Sequence, residues 1–210
     1  MQAGQCAFDS IKAVLFDLDG TLVHSSLDFA RIRREIACPE GVDLLGFVDS
    51  LEGLQKQQAQ QIIHRHELED AYCARIVKGA PELLTRLDDA GIKTGIITRN
   101  SVQATRIKLD TCGISITEVI TREDAAPKPD PQALLRLSQA WAFESSACVY
   151  VGDYLYDLQA ARNAGMHSCL FYGADVHKQA LPDFAKLADF ICVDFNYFET
   201  VLIKYLQTRA

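Results

Sequence analysis

Two periodicities share this chain. Short apolar runs, each the length of a strand, alternate with longer stretches whose apolar positions recur at helical spacing. Ala13-Val14-Leu15-Phe16 is the first such run, and Ile92 to Ile97, Ile116 to Ile120, Ala147 to Val151, His167 to Phe171 and Asp189 to Val193 are the others. Between them, Pro81 to Ala90, Ser101 to Thr111 and Leu155 to Ala164 carry helical patterns. Pro81 stands near the start of the first, and Gly91, Gly113 and Gly165 stop the three. Asp130-Pro131 caps a further helix running to about Ala142, and Asn196 can cap a final one. Strands joined by helices predict an α/β fold with a doubly wound parallel sheet, because parallel neighbours need a crossover connection.

Residues 24–78 break the alternation. Leu27 to Ala37, Val42 to Leu51 and Leu54 to Ile76 read as three helices, with Cys38-Pro39-Glu40-Gly41 as a turn and no strand signal between them. The expected organisation is a core of residues 1–23 and 79–210 with an all-helical insertion of 24–78 directly after the first strand. The Gln-rich stretch Gln55 to Gln61 is the solvated face of the third helix, since Ile62, Ile63 and Leu68 supply its apolar positions. His64 and His66 are two apart and point to different helix faces, so they make no metal pair and are expected to be surface or cap residues. His167, His177 and Trp141 are expected to be structural.

Composition narrows the function. The 210 residues carry a net charge of −7 and a pI near 5.2, which argues against nucleic acid or an anionic membrane as partner. Seven cysteines (Cys6, Cys38, Cys73, Cys112, Cys148, Cys169 and Cys192) form no CxxC pair, and several sit in apolar runs as reduced core cysteines do. With no signal-peptide pattern or spanning segment, a soluble cytoplasmic protein is expected.

Candidate chemistry gathers where apolar runs end, which in an open parallel sheet is the edge that holds ligands. Asp17 and Asp19 lie one residue apart before Gly20-Thr21. Such a pair suits a nucleophile beside a proton donor, with a divalent cation to offset the charge; an Asx turn is the plainer alternative. Thr98-Arg99-Asn100 ends a second run and reads equally as a strand-to-helix cap. Lys128 stands between Pro127 and Pro129, in a rigid loop or with its ammonium aimed at a site. Asp153 and Asp157 follow Gly152 at a strand-helix junction, where they can serve a cation or favour the helix dipole.

Together and in this order, these sites resemble the four motifs of the haloacid dehalogenase superfamily of phosphotransferases. Asp17-Leu18-Asp19-Gly20-Thr21 matches the first motif, Thr98 the second, Lys128 the third, and Gly152-Asp153 through Asp157 the fourth. Residues 157–166 also look like the family's following helix, and the insertion resembles the helical cap of the subclass containing phosphoglycolate phosphatase and β-phosphoglucomutase. The resemblance implies a Mg²⁺-dependent phosphatase acting on a small phosphorylated metabolite through an aspartyl-phosphate. Asp17 is then the nucleophile and Asp19 the general acid and base. Mg²⁺ is held by the Asp17 carboxylate, the Asp19 backbone carbonyl and Asp153, with Asp157 near or in its shell. Thr98 and Lys128 bind the phosphoryl oxygens, and Arg99, Asn100 and His24 join the substrate contacts. A phosphomutase of the same superfamily and a non-catalytic phosphate-binding protein are the alternatives. Phosphoglycolate phosphatase-like members often have Asp where this chain has His24, and a small polar residue where it has Tyr154. Of Arg31, Arg33, Arg34 and Arg65 on the cap, one is a candidate for a substrate carboxylate. Monomer and homodimer are both compatible with the sequence.

Overall fold

The computed structural model describes residues 10–173 and 180–208. His177 and Cys6 lie outside them. Strand β1 (Ala13–Phe16) is followed by the two-residue β2 (Val23–His24) and the helices α1 (Phe29–Glu35), α2 (Leu44–Ser50) and α3 (Gly53–Tyr72). Next come β3 (Arg75–Ile76), α4 (Ala80–Asp89), β4 (Lys93–Ile97), α5 (Val102–Cys112), β5 (Val119–Ile120) and α6 (Gln132–Ala140). The chain continues through β6 (Cys148–Gly152), α7 (Leu155–Ala164), β7 (His167–Phe171), β8 (Phe190–Cys192) and α8 (Phe198–Gln207). Six strands form one parallel sheet in the order β5-β4-β1-β6-β7-β8. This is the doubly wound α/β architecture expected from the sequence.

The period-2 alternation of β1 shows why the sheet needs cover on both sides. Val14 and Phe16 join a cluster with Leu83 and Leu87 of α4 and Phe198 and Leu202 of α8. Ala13 and Leu15 face the other way, toward Leu134 and Leu137 of α6 and Ala161 of α7. All four β1 side chains are fully buried, so the strand's carboxyl end is fixed from both faces.

Between β2 and β3, helices α1 to α3 share a separate apolar cluster of Ile32, Ile36, Leu44, Val48, Ala59 and Ile63. The first two start later than their apolar patterns suggest, because Asp28 and Asp43 accept the N–H groups of Arg31 and Gly46, each at 2.8 Å, and so cap them. The third does not run to Ile76. It stops at Tyr72, and Arg75–Ile76 pairs antiparallel with Val23–His24, while Val77 N–H donates to Leu22 O at 2.8 Å. Two residues per strand are too few to carry an alternation, which is why no strand signal appeared.

Other expectations are corrected at element ends. Of Ile116 to Ile120, only Val119–Ile120 forms a strand, since this edge run pairs with β4 alone. Asn196 does not cap α8; its N–H is taken by Asp194 at 2.9 Å in the 3₁₀ turn Phe195–Tyr197 that leads into it. Of the two alternatives for His66, the surface one fails: it is buried in α3 and lies 3.1 Å from a Glu35 carboxylate oxygen. Gln55, Gln57, Gln58, Gln60 and Gln61 are exposed, as expected. No helix of the described residues is long and apolar enough to cross a membrane.

Candidate active site

The carboxyl end of β1 leads directly into the acidic cluster. Asp17 N–H donates to Val151 O at 2.8 Å, extending the sheet pairing one residue beyond the strand and seating Asp17 beside the end of β6. The chain then reverses at Gly20, which has φ +78° and donates its N–H to Val23 O at 2.8 Å. A side chain at Gly20 would overlap the Asp153 carboxylate, and one at Gly152 would overlap Asp157. Both glycines therefore leave room for an aspartate side chain to lie directly against the backbone.

Lys128 ties the cluster together. Its Nζ donates to Asp17 Oδ1 and Asp157 Oδ1, both at 2.6 Å, to Tyr150 Oη at 3.0 Å and to Ile97 O at 3.2 Å. Four acceptors leave the ammonium little freedom, and the peptide bond to Pro129 is cis. The second oxygen of Asp157 accepts Tyr154 N–H at 3.0 Å, near the start of α7. Asp17, Asp153 and Asp157 each offer one carboxylate oxygen, and these lie within 4.8 Å of one another.

One ammonium facing three carboxylates leaves the cluster short of positive charge. Burial pushes the Asp17 carboxyl up to about 7; Lys128 opposes this and the Asp157 charge adds to it. Burial also raises Asp153 well above the usual carboxylate range, with further repulsion from Asp17 and Asp157. Burial disfavours the Lys128 charge, but Asp157 and Asp17 outweigh it and raise the Lys128 pKa. Hard oxygen donors with surplus negative charge suit Mg²⁺, and this donor set fits that ion.

Asp19 is in different company. Its Oδ2 accepts from Asn100 Nδ2 and its Oδ1 from Lys108 Nζ, so its carboxylate stands apart from the three-acid cluster. Only its backbone carbonyl is left for the metal role that the resemblance implies. Burial raises the Asp19 pKa, and Lys108 and Asn100 pull against that rise. Thr98 is buried at the end of β4, and its Oγ1 accepts Asn100 N–H and Nδ2–H, each at 3.2 Å. Arg99 pairs with Asp43, and its guanidinium lies 5.0 Å from the Tyr156 ring centroid. His24 is half-buried in β2, its backbone paired with Arg75. Of the arginines in the inserted helices, Arg31 and Arg65 pair with Glu35, and Arg33 donates to Pro39 O at 3.0 Å.

The structure thus brings Asp17, Lys128, Asp153 and Asp157 together and places Asp19, Thr98 and Asn100 next to them. Sequence reasoning missed Tyr150, Lys108, Asp70, Glu67 and Arg122. Lys108 is fully buried in α5 and also reaches Asp70 Oδ2 of α3 at 2.7 Å. Arg122 pairs with Glu67 of the same helix. One signal was available: Lys108 falls four residues after Ala104 on the inward face of α5, where a lysine needs a buried partner.

A sequence profile of the haloacid dehalogenase-like hydrolases matches residues 11–165. A haloacid dehalogenase-like hydrolase domain-containing protein of Arabidopsis thaliana is 31% identical over 79% of this chain and 74% of its own length. Phosphoglycolate phosphatase of Rhodospirillum rubrum is 29% identical over 86% of this chain and 90% of its own. The crystal structure of a hydrolase from Pseudomonas syringae superposes with a TM-score of 0.74 over 95% of this chain and 99% of that one, at 20% identity, which speaks to the fold. With its sheet, its ordered motifs and this match over most of its length, the chain belongs to the haloacid dehalogenase-like hydrolase family.

Proposed function

We propose that this chain is a Mg²⁺-dependent phosphatase that hydrolyses a phosphate monoester of a small metabolite through an aspartyl-phosphate. The carrying observation is Lys128, held at 2.6 Å from both Asp17 and Asp157 with Asp153 in the same cluster, while Asp19 stands apart with partners of its own. Two carboxylates in two environments suit two roles. The name of the Rhodospirillum relative supports the same class of substrate.

In the first step an Asp17 oxygen attacks phosphorus, the phosphorus–ester oxygen bond breaks, and Asp19 gives its proton to the leaving oxygen. In the second, Asp19 takes a proton from water as that water attacks the same phosphorus. The Asp17–phosphorus bond then breaks and inorganic phosphate leaves. Lys128 and Thr98 bind the oxygens that carry charge in both transition states. When bound, Mg²⁺ adds positive charge at the phosphoryl group; Asp17, Asp153, Asp157 and the Asp19 carbonyl would hold it.

Residues 24–78 serve as the cap over a core of 1–23 and 79–210, and His24, Arg99 and Asn100 contribute to substrate choice. The described cysteines are unpaired and four of the six are buried, as suits a reducing cytoplasm. The test is phosphate release across a panel of small phosphate esters. Turnover should appear with Mg²⁺ and vanish in EDTA and in Asp17→Asn. Full activity in chelator, or in that variant, would overturn the reading.

A further inference from the structure

Lys108 lies outside every motif that carries the family resemblance, yet its ammonium is the link between the proposed acid and the inserted helices. It is fully buried in α5 and donates to Asp19 Oδ1 on one side and to Asp70 Oδ2, at 2.7 Å, on the other. Asp70 in turn accepts Ser26 N–H at 2.6 Å, Ser26 Oγ–H at 2.9 Å and Ser25 Oγ–H at 3.0 Å. Ser25 and Ser26 are the residues by which the chain leaves β2 for α1. One carboxylate thus holds the exit of the insertion and half of the ammonium that holds Asp19.

The rest of this contact is polar in the same way. His64 Nε2 lies 3.1 Å from Gln103 Oε1, Glu67 accepts from Arg122 and from Ser101 N–H at 3.3 Å, and Asp70 takes Lys108. Residues 64, 67 and 70 fall on one face of α3, aimed at α5 and its flanks. A buried ammonium needs its partners, and two carboxylates sharing one leave each sensitive to the position of the other.

Resting on the phosphatase reading above, we propose that Lys108 is the positioning residue of Asp19. It also relays the placement of α3: Asp19 is oriented for proton transfer while Asp70, with the Ser25-Ser26 exit in place, shares the ammonium. Lys108 itself makes and breaks no bond to substrate. Its effect reaches the reaction through Asp19 alone, in both of its proton transfers, of which only the one to the leaving oxygen differs between substrates.

This role leaves a signature that packing alone does not. General-acid help matters for an alkyl phosphate, whose leaving oxygen is strongly basic, and hardly for p-nitrophenyl phosphate, whose leaving group departs unprotonated. The experiment is steady-state kinetics on p-nitrophenyl phosphate and propyl phosphate with the wild type, Lys108→Met, Lys108→Arg and Asp70→Asn, alongside thermal melts. For Lys108→Met, kcat/KM on propyl phosphate, which reports transfer of the phosphoryl group to Asp17, should fall roughly 100-fold, against less than about 10-fold on p-nitrophenyl phosphate. Asp70→Asn, which does not touch Asp19, should show the same selective loss in weaker form, and Lys108→Arg should recover part of it. Should Lys108→Met fail to fold, Asp70→Asn carries the test by itself. Equal losses on the two esters, or an Asp70→Asn variant that behaves as wild type, would overturn the relay. A wild type inert toward both esters with Mg²⁺ would instead bring down the phosphatase reading, and this inference with it.

Discussion

Arg99 Nη2 donates to both carboxylate oxygens of Asp43, at 2.7 and 2.8 Å, joining the end of the core strand β4 to the residue that caps α2. Asp43 has two duties, because its Oδ2 also accepts Gly46 N–H at 2.8 Å. Burial works against its charge, but the Gly46 N–H and the Arg99 guanidinium outweigh it and hold the Asp43 carboxyl below the usual range. The Tyr156 ring beneath Arg99 keeps the guanidinium in place from the other side.

Asp43→Asn separates these duties. An asparagine caps a helix about as well as an aspartate, so the melting temperature should barely move, within about 0.5 kcal/mol of stability. The ion pair is lost, and Arg99 becomes available to an anionic group on the substrate. The ratio of kcat/KM for phosphate esters carrying a carboxylate to that for neutral esters should rise by about threefold or more, equivalent to about 0.7 kcal/mol. An unchanged ratio would show that Arg99 only docks the inserted helices.

Lys128→Met removes the ammonium from between Asp17 and Asp157 and leaves two buried carboxylates facing each other near Asp153. Breaking a buried pair from one side costs about 3–5 kcal/mol, so the metal-free variant should melt well below the wild type. Mg²⁺ should restore part of that loss, because it answers the same surplus of negative charge. Turnover should stay at least about 100-fold down even with saturating Mg²⁺, since a methionine gives the phosphoryl oxygens no hydrogen bond. Calorimetry with and without Mg²⁺, together with kcat, separates the two effects.

Three of the four motifs were legible because each stands directly after a strand whose apolar pattern is plain, and the parallel sheet brings such ends together; Lys128 instead stands in a loop eight residues past β5 and was marked by its two flanking prolines. Asp17, Thr98 and Asp153 inherit their places from β1, β4 and β6, so the order of the strands was enough to collect them. The polar contact between α3 and α5 was not legible. Asp70 and Lys108, or Glu67 and Arg122, are far apart in sequence, and apart from the inward register of Lys108 nothing in the local pattern marks any of them as paired. For the same reason α3 shows no clean apolar stripe: part of its buried face is His66, Glu67 and Asp70. The β2–β3 ribbon escaped notice because two paired residues leave no periodicity to read.

The acidic cluster predicts a sign for pH dependence in the metal-free protein. Asp17 is raised from an ordinary value near 3.8 to about 7, and Asp153 and Asp19 are raised as well. Between these limits the folded state binds more protons than the unfolded chain, so stability falls as pH rises from about 4 to about 7. The lowered carboxyls of Asp43 and Asp70 act below this window, and the raised ammoniums of Lys108 and Lys128 above it. In EDTA, the melting temperature should therefore drop across that range. The stabilisation added by Mg²⁺ should grow over the same range, because the ion competes with protons for these oxygens. Asp17→Asn should flatten the slope in EDTA, whereas an equally steep slope in that variant would assign it to other groups.

The two glycines at the cluster give a graded final test, because the neighbour in each case differs in how far it can yield. At Gly152 an added methyl would press on Asp157, which is buried and held by Lys128, Tyr150 and Tyr154 N–H. With no room to retreat, the start of α7 must shift, and overpacking of this kind costs about 1–3 kcal/mol. At Gly20 the methyl would meet the far end of the Asp153 side chain, its carboxylate, rather than atoms close to the backbone. Turning that carboxylate aside is the cheaper response, to which the positive φ adds about 1 kcal/mol of backbone strain. Gly152→Ala should therefore lower the melting temperature more than Gly20→Ala does. Gly20→Ala should mainly raise the Mg²⁺ concentration needed for half-maximal turnover, because Asp153 is drawn away from Asp17 and Asp157. Mg²⁺ titrations of activity and melting curves on both variants check this ordering. If Gly20→Ala kept the wild-type Mg²⁺ requirement, Asp153 would not belong among the residues that hold the ion.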